Sequence, residues 1–198
     1  MDWLAFLSFT FVAVITPGPN NILSMANSNK FGYKKTIPFL LGVTVGFGFL
    51  VLFSGLFNKV LFEIMPKIRV VIGIIGFIYM LYLAYVLLKS SNHSNEKEEV
   101  LSSASFKTGV IMQYINPKAI LFSITVTGNF IVPAYDSVFM LVIMSIFLGV
   151  VAYFGTSAWA LMGSILKMFL SKYEKVFNVI MSLLLVYTAI SILSSVFH

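Results

Sequence analysis

The run Thr16-Pro17-Gly18-Pro19-Asn20-Asn21 lies inside an apolar stretch long enough to cross a membrane. Two prolines remove backbone donors and clash with the preceding turn, and Gly18 permits the turn between them. Irregular backbone at membrane depth is tolerated only where protein buries it or where it lines a polar cavity. The carbonyls freed before Pro17 could accept from an ammonium or a water. A helix restarting at Pro19 would present free amides to a carboxylate. Asn20 and Asn21 add paired donors and acceptors. A second break, Asn116-Pro117-Lys118, follows one hundred residues later, with Gln113 one turn before it. The candidate binding residues are therefore Pro17, Gly18, Asn20, Asn21, Gln113, Asn116, Pro117 and Lys118.

Each break also has a purely structural reading, because prolines commonly kink membrane helices. Pro-Gly-Pro-Asn-Asn carries more disruption than one kink needs, which favours a site. Lys118 has two readings that the sequence leaves open. It could hold a substrate carboxylate, or it could snorkel to the interface.

The remaining residues exclude several chemistries. Span interiors lack paired carboxylates, a Ser-His-Asp or Cys-His grouping, and a phosphate loop with its lysine, so no enzyme is expected. The chain has no cysteine, hence no disulfide framework. His93 and His198 have no partner at metal-ligand spacing, and neither a metal nor a cofactor is expected. The net charge of +6 does not point to nucleic acid, because the basic residues fall between apolar blocks.

The chain is 59% hydrophobic and only 10% charged, too few charges to cover a soluble protein of this size. Six apolar blocks can be drawn, at about 3–25, 37–58, 68–88, 106–132, 138–163 and 174–196, each near the ~20 residues a spanning helix needs. The first lacks a basic n-region and reads as a retained span rather than a cleaved signal. Lys30, Lys34, Lys35, Lys89, Lys97, Lys107, Lys167, Lys172 and Lys175 fall on one side, against Lys59, Lys67 and Arg69 on the other. The positive-inside rule puts the first set in the cytoplasm and both termini in the periplasm or extracellular space.

The polar stretch 90–105 reads as a flexible cytoplasmic linker within one transmembrane domain, 1–198. It separates three spans (1–89) from three spans (106–198). An odd number per half inserts the halves in opposite senses, the inverted-repeat arrangement of many secondary transporters. The expected fold is thus an all-α membrane protein of six transmembrane helices in two inverted three-helix repeats, the first helix of each half broken. Tyr82-Leu83-Ala84 and Tyr187-Thr188-Ala189 form a second, short correspondence. Gly42 and Gly46 make a small-xxx-small pair for close helix contact, with Gly73, Gly76, Gly149, Gly155 and Gly163 in similar service. These faces could meet within one chain or across a homodimer.

The chain resembles the LysE/RhtB superfamily of bacterial amino-acid exporters over nearly its full length. The resemblance rests on Thr16 to Leu23, on Gly32-Tyr33-Lys34-Lys35 with Gly42, on Tyr79 to Tyr85, and on Phe106-Lys107-Thr108-Gly109 with Asn116-Pro117-Lys118-Ala119. Within it, the pattern is most similar to the cysteine and O-acetylserine exporters. The resemblance implies six spans in the inner membrane and export of a small neutral amino acid or derivative, coupled to the proton gradient by antiport. The acids Asp2, Glu63, Asp136, Glu174 and the linker glutamates are not central to any span, which argues against a dibasic substrate. The expected mechanism is alternating access, with broken-helix amides and Lys118 on the carboxylate and freed carbonyls with Asn20 or Asn21 on the amine. The alternative is a non-transporting membrane interaction protein or subunit.

Overall fold

A computed structural model describes residues 1–89, 104–170 and 174–197. The expected linker, with His93, and the terminal His198 lie outside the described residues, save for Ala104 and Ser105. The helices are α1 Trp3–Ile15, α2 Pro19–Phe31, α3 Tyr33–Leu56, α4 Asn58–Lys89, α5 Phe106–Ile115, α6 Pro117–Val126, α7 Val138–Leu170 and α8 Glu174–Phe197. A π-helical turn at Thr127–Ile131 and a last turn at Val132–Ala134 prolong α6.

Local chemistry explains the element ends. Asp2 caps α1 by accepting from the Ala5 amide at 3.1 Å. Pro19 and Pro117 each occupy the first turn of a new helix, where a missing N–H costs nothing. Gly32 adopts φ +85°, the positive-φ conformation in which side chains are disfavoured, and so ends α2 before α3 turns back. Ser105 opens α5 by accepting from the Thr108 amide at 3.1 Å.

Four segments meet the length and apolarity of a membrane span: Tyr33–Leu56, Val70–Lys89, Pro117–Ala134 and Val138–Leu166. The bent pair α1–α2 makes a fifth, with a 45° angle at its break. The apolar part of α8, Lys175–Ser191, is shorter. The protein is therefore an all-α, multi-pass membrane protein, with four or five such spans among the described residues. Large apolar side chains such as Leu4, Phe11, Ile78, Phe139 and Leu183 face outward, as a hydrocarbon solvent allows.

α3 packs along α5 and α7, α2 lies against α7, and α4 pairs with α8. Where α2 and α5 meet their neighbours, backbone touches backbone. A methyl group on Gly42 would collide with the Phe106 carbonyl, and one on Gly163 with the Met25 carbonyl. Where α1 and α6 meet, aromatic rings fill the gap. Phe9 stacks on Phe122 with centroids 5.1 Å apart, and Phe6 meets Phe130 edge-on at 5.9 Å. A polar seam joins the same half of the bundle. Ser54 and Ser123 share a 2.9 Å hydrogen bond, and Thr127 donates to the Ser123 carbonyl at 2.7 Å. Of the glycines expected to serve helix contact, Gly42, Gly46, Gly76, Gly149, Gly155 and Gly163 do so within the chain.

Candidate functional site

The two breaks meet. At the first, the carbonyls of Ala13 and Ile15 have no helical donor four residues on, because Pro17 and Pro19 carry no N–H. The Val12 carbonyl still accepts from the Thr16 amide at 3.0 Å. Asn21 braces the bend: its Nδ2 donates to the Val14 carbonyl at 2.8 Å and to the Thr16 carbonyl at 3.0 Å. Helix α2 then begins on Gly18, which is extended and supplies no side-chain cap. The first amides of a helix lack intrahelical acceptors, so α2 presents bare donors at this end.

The second break differs in kind. Asn116 is buried, and its Oδ1 accepts from the amides of Lys118 at 3.1 Å and Ala119 at 3.4 Å. The start of α6 is thereby capped from within. Pro117 sets its ring where a side chain on Gly76 of α4 would stand. Lys118 leaves α6 on the other side and crosses to the first break, where its Nζ donates to the Thr16 carbonyl at 2.7 Å. Its stem passes Gly18, whose missing Cβ would lie 3.0 Å from Lys118 Cδ.

A second link spans the breaks. Asn20 and Gln113 pair as reciprocal amides, Asn20 Nδ2 donating to Gln113 Oε1 at 2.9 Å and Gln113 Nε2 to Asn20 Oδ1 at 3.2 Å. Gln113 is fully buried and also donates to the Gly109 carbonyl at 2.8 Å.

Between the breaks lies a cavity of about 70 Å³. Of the expected residues, Gly18, Asn20, Asn21, Asn116 and Lys118 line it, Gln113 reaches it through Asn20, and Pro17 and Pro117 shape the backbone around it. Sequence reasoning missed part of the wall: Phe47, Phe122 and Thr156, with small Ala13, Ala119 and Ala152. Phe122 had a readable signal, since it lies one helical turn after Lys118 in the helix that Pro117 starts. Phe47 and Thr156 had none, as nothing near them in sequence departs from ordinary span composition. No acidic side chain lines the cavity, and no group of three or more metal-ligating side chains occurs among the described residues.

The role of Asn21 gives a direct test. Asn21→Ala is expected to lower stability by about 1–3 kcal/mol, since it strips a donor from each of two carbonyls in part-buried hydrogen bonds. Asn21→Asp, closer in shape, is expected to be worse, because an oxygen would then face both carbonyls. Thermal midpoints in mild detergent check this, and an Asp variant as stable as wild type would refute that account of the bend.

A membrane bundle with two helix breaks joined across a small cavity has the anatomy of a transporter. The chain belongs to the LysE type translocator family, whose pattern it matches over residues 11–195. It is a translocator and not an enzyme. It is 30% identical over 190 residues, 95% of each chain, to the cysteine/O-acetylserine efflux protein of Escherichia coli strain K12. The protein of that name from Shigella flexneri is similar to the same extent. No solved structure matches the chain.

Proposed function

We propose that this protein exports a small neutral amino acid or derivative, of the cysteine or O-acetylserine kind, across the bacterial inner membrane. It works as a secondary transporter by alternating access between two inverted three-helix halves, driven by the proton gradient, with both termini on the periplasmic side. The observation that carries the reading is the junction of the two breaks. One cavity presents the bare amides of α2, the Lys118 ammonium and the freed carbonyls of the first break. These are the complements of a carboxylate and an ammonium held a few ångströms apart.

The wall supports the substrate class. Alanines at 13, 119 and 152 and a cavity of about 70 Å³ suit a short side chain. Phe47 and Phe122 offer it apolar contact, and no carboxylate is present to offset a basic one. Relatives named for cysteine and O-acetylserine efflux, 30% identical over 95% of the chain, agree with this choice.

The test is flux into liposomes of cysteine, O-acetylserine, threonine, homoserine, leucine and lysine, with and without an imposed proton gradient. Saturable, gradient-dependent flux of cysteine or O-acetylserine is expected, and the double variant Asn20→Ala/Lys118→Ala is expected to lose at least about tenfold of it, as two lost polar contacts would cause. Unchanged affinity and flux in the double variant would move the site elsewhere.

A further inference from the structure

The Thr16 carbonyl is fully subscribed. A backbone carbonyl oxygen has two lone pairs, and here Asn21 Nδ2 takes one at 3.0 Å and Lys118 Nζ the other at 2.7 Å. This carbonyl is freed by the break; Thr16 is not itself part of the cavity wall, but both donors to its carbonyl, Asn21 and Lys118, line the cavity. An ammonium on a four-carbon stem and an ammonium on a substrate are the same donor chemically. They cannot both be served by one oxygen, and as like charges they repel.

We propose that Lys118 is an internal competitor for the substrate's ammonium position, displaced only by a substrate that brings its own carboxylate. The inference rests on the amino-acid reading above and adds the step by which the site selects a zwitterion. The carboxylate draws the Lys118 ammonium off Thr16 into a salt bridge. The oxygen so released accepts the substrate's ammonium, while Asn21 keeps its own bond and holds the bend. No proton changes hands, and the count of donors on the carbonyl stays at two. The geometry allows the lysine to move. Its stem is flexible, it is half-buried, and it runs past Gly18, which has no side chain to pin it. An amine without a carboxylate offers Lys118 nothing and meets its charge, so it is refused. A carboxylate without an amine attracts Lys118 but leaves the carbonyl short of a donor.

The experiment is calorimetric binding to the full chain in lipid nanodiscs, using reduced cysteine, O-acetylserine and cysteine methyl ester, the last of which keeps the ammonium and lacks the carboxylate. Wild type is expected to bind cysteine at least about tenfold tighter than the ester, given the cost of juxtaposed like charges. In Lys118→Met, Thr16 keeps Asn21 as a partner, so the break is expected to survive. This variant is expected to reverse the preference, binding the ester at least about tenfold tighter than wild type does and losing cysteine affinity by a similar factor. A second measurement needs no substitution. In wild type, acetate in place of chloride at equal ionic strength is expected to tighten ester binding, since acetate can occupy Lys118 and release the carbonyl. Cysteine binding by wild type, with ester affinity the same in wild type and Lys118→Met and indifferent to acetate, overturns the competition and leaves the amino-acid reading standing. Failure of wild type to bind cysteine or O-acetylserine overturns both.

Discussion

Gly109→Ala is expected to destabilise the protein strongly, because the added methyl group meets only backbone. The new Cβ would overlap the Phe39 carbonyl oxygen and stand 2.8 Å from the Val43 nitrogen and 3.0 Å from the Gly42 carbonyl carbon. All three are backbone atoms of α3, so no side chain can rotate away. Alanine favours a helix over glycine by about 1 kcal/mol, and the variant should lose stability despite that gain. Overpacking where side chains can yield costs about 1–3 kcal/mol. A helix that must shift as a whole puts this variant at the upper end or beyond. The matched control is Gly48→Ala, whose Cβ would lie 3.5 Å from the Ser145 carbonyl oxygen, an ordinary contact. It is expected to be neutral or slightly stabilising. Thermal midpoints and monodispersity in mild detergent compare the two, and equal midpoints would mean that α3 and α5 do not cross as described.

Gln113→Leu is expected to harm both stability and transport, and the two losses can be separated. The substitution removes three hydrogen bonds and leaves the Asn20 amide facing an apolar side chain. A buried polar group left without its partner costs about 1–3 kcal/mol. Flux in liposomes should fall by at least about tenfold, because Asn20 loses the partner that fixes its rotamer beside the cavity. Removing both partners with apolar groups of similar shape is often nearly neutral for folding. The double variant Asn20→Leu/Gln113→Leu should therefore regain much of the stability and none of the transport. If transport returned along with stability, the pair would be glue between the halves, and the binding role of Asn20 would fall.

The site was legible where disruption is local. Pro38 and Pro66 sit inside the unbroken α3 and α4, so proline by itself marks no break; the breaks at Thr16–Gly18 and Asn116 stand where proline is clustered with glycine and asparagine. The difference between the breaks was not legible. Both look like a proline beside an asparagine, yet Asn116 caps its own helix, whereas Asn21 reaches back to the carbonyls of the preceding one. Helices stand where all six apolar blocks were drawn, but only four or five segments reach span length and apolarity. In the last helix, α8, the polar residues Asn178, Ser182 and Thr188 are buried. Those residues face protein rather than lipid, which a hydropathy window cannot distinguish.

The lysine posed the sharpest ambiguity. Lys118 beside a break could hold a carboxylate or snorkel to an interface, and its sequence neighbours do not decide between them. Its partner is a carbonyl 102 residues away, an acceptor that every residue owns and no pattern marks.

By itself the sequence determined that this chain crosses a membrane, that two of its helices are broken, and that no buried acid serves the breaks. These are properties of composition and of prolines clustered with glycine and asparagine. Only the tertiary structure decided that the two breaks share one cavity, that Asn20 pairs with Gln113, that Lys118 and Asn21 together fill the Thr16 carbonyl, and that Phe47, Phe122 and Thr156 complete the wall. Each of these is a contact between segments far apart in the chain. It exists because Gly42 and Gly109 let α3 and α5 approach to backbone contact, and so it depends on how whole helices pack rather than on any residue's neighbours.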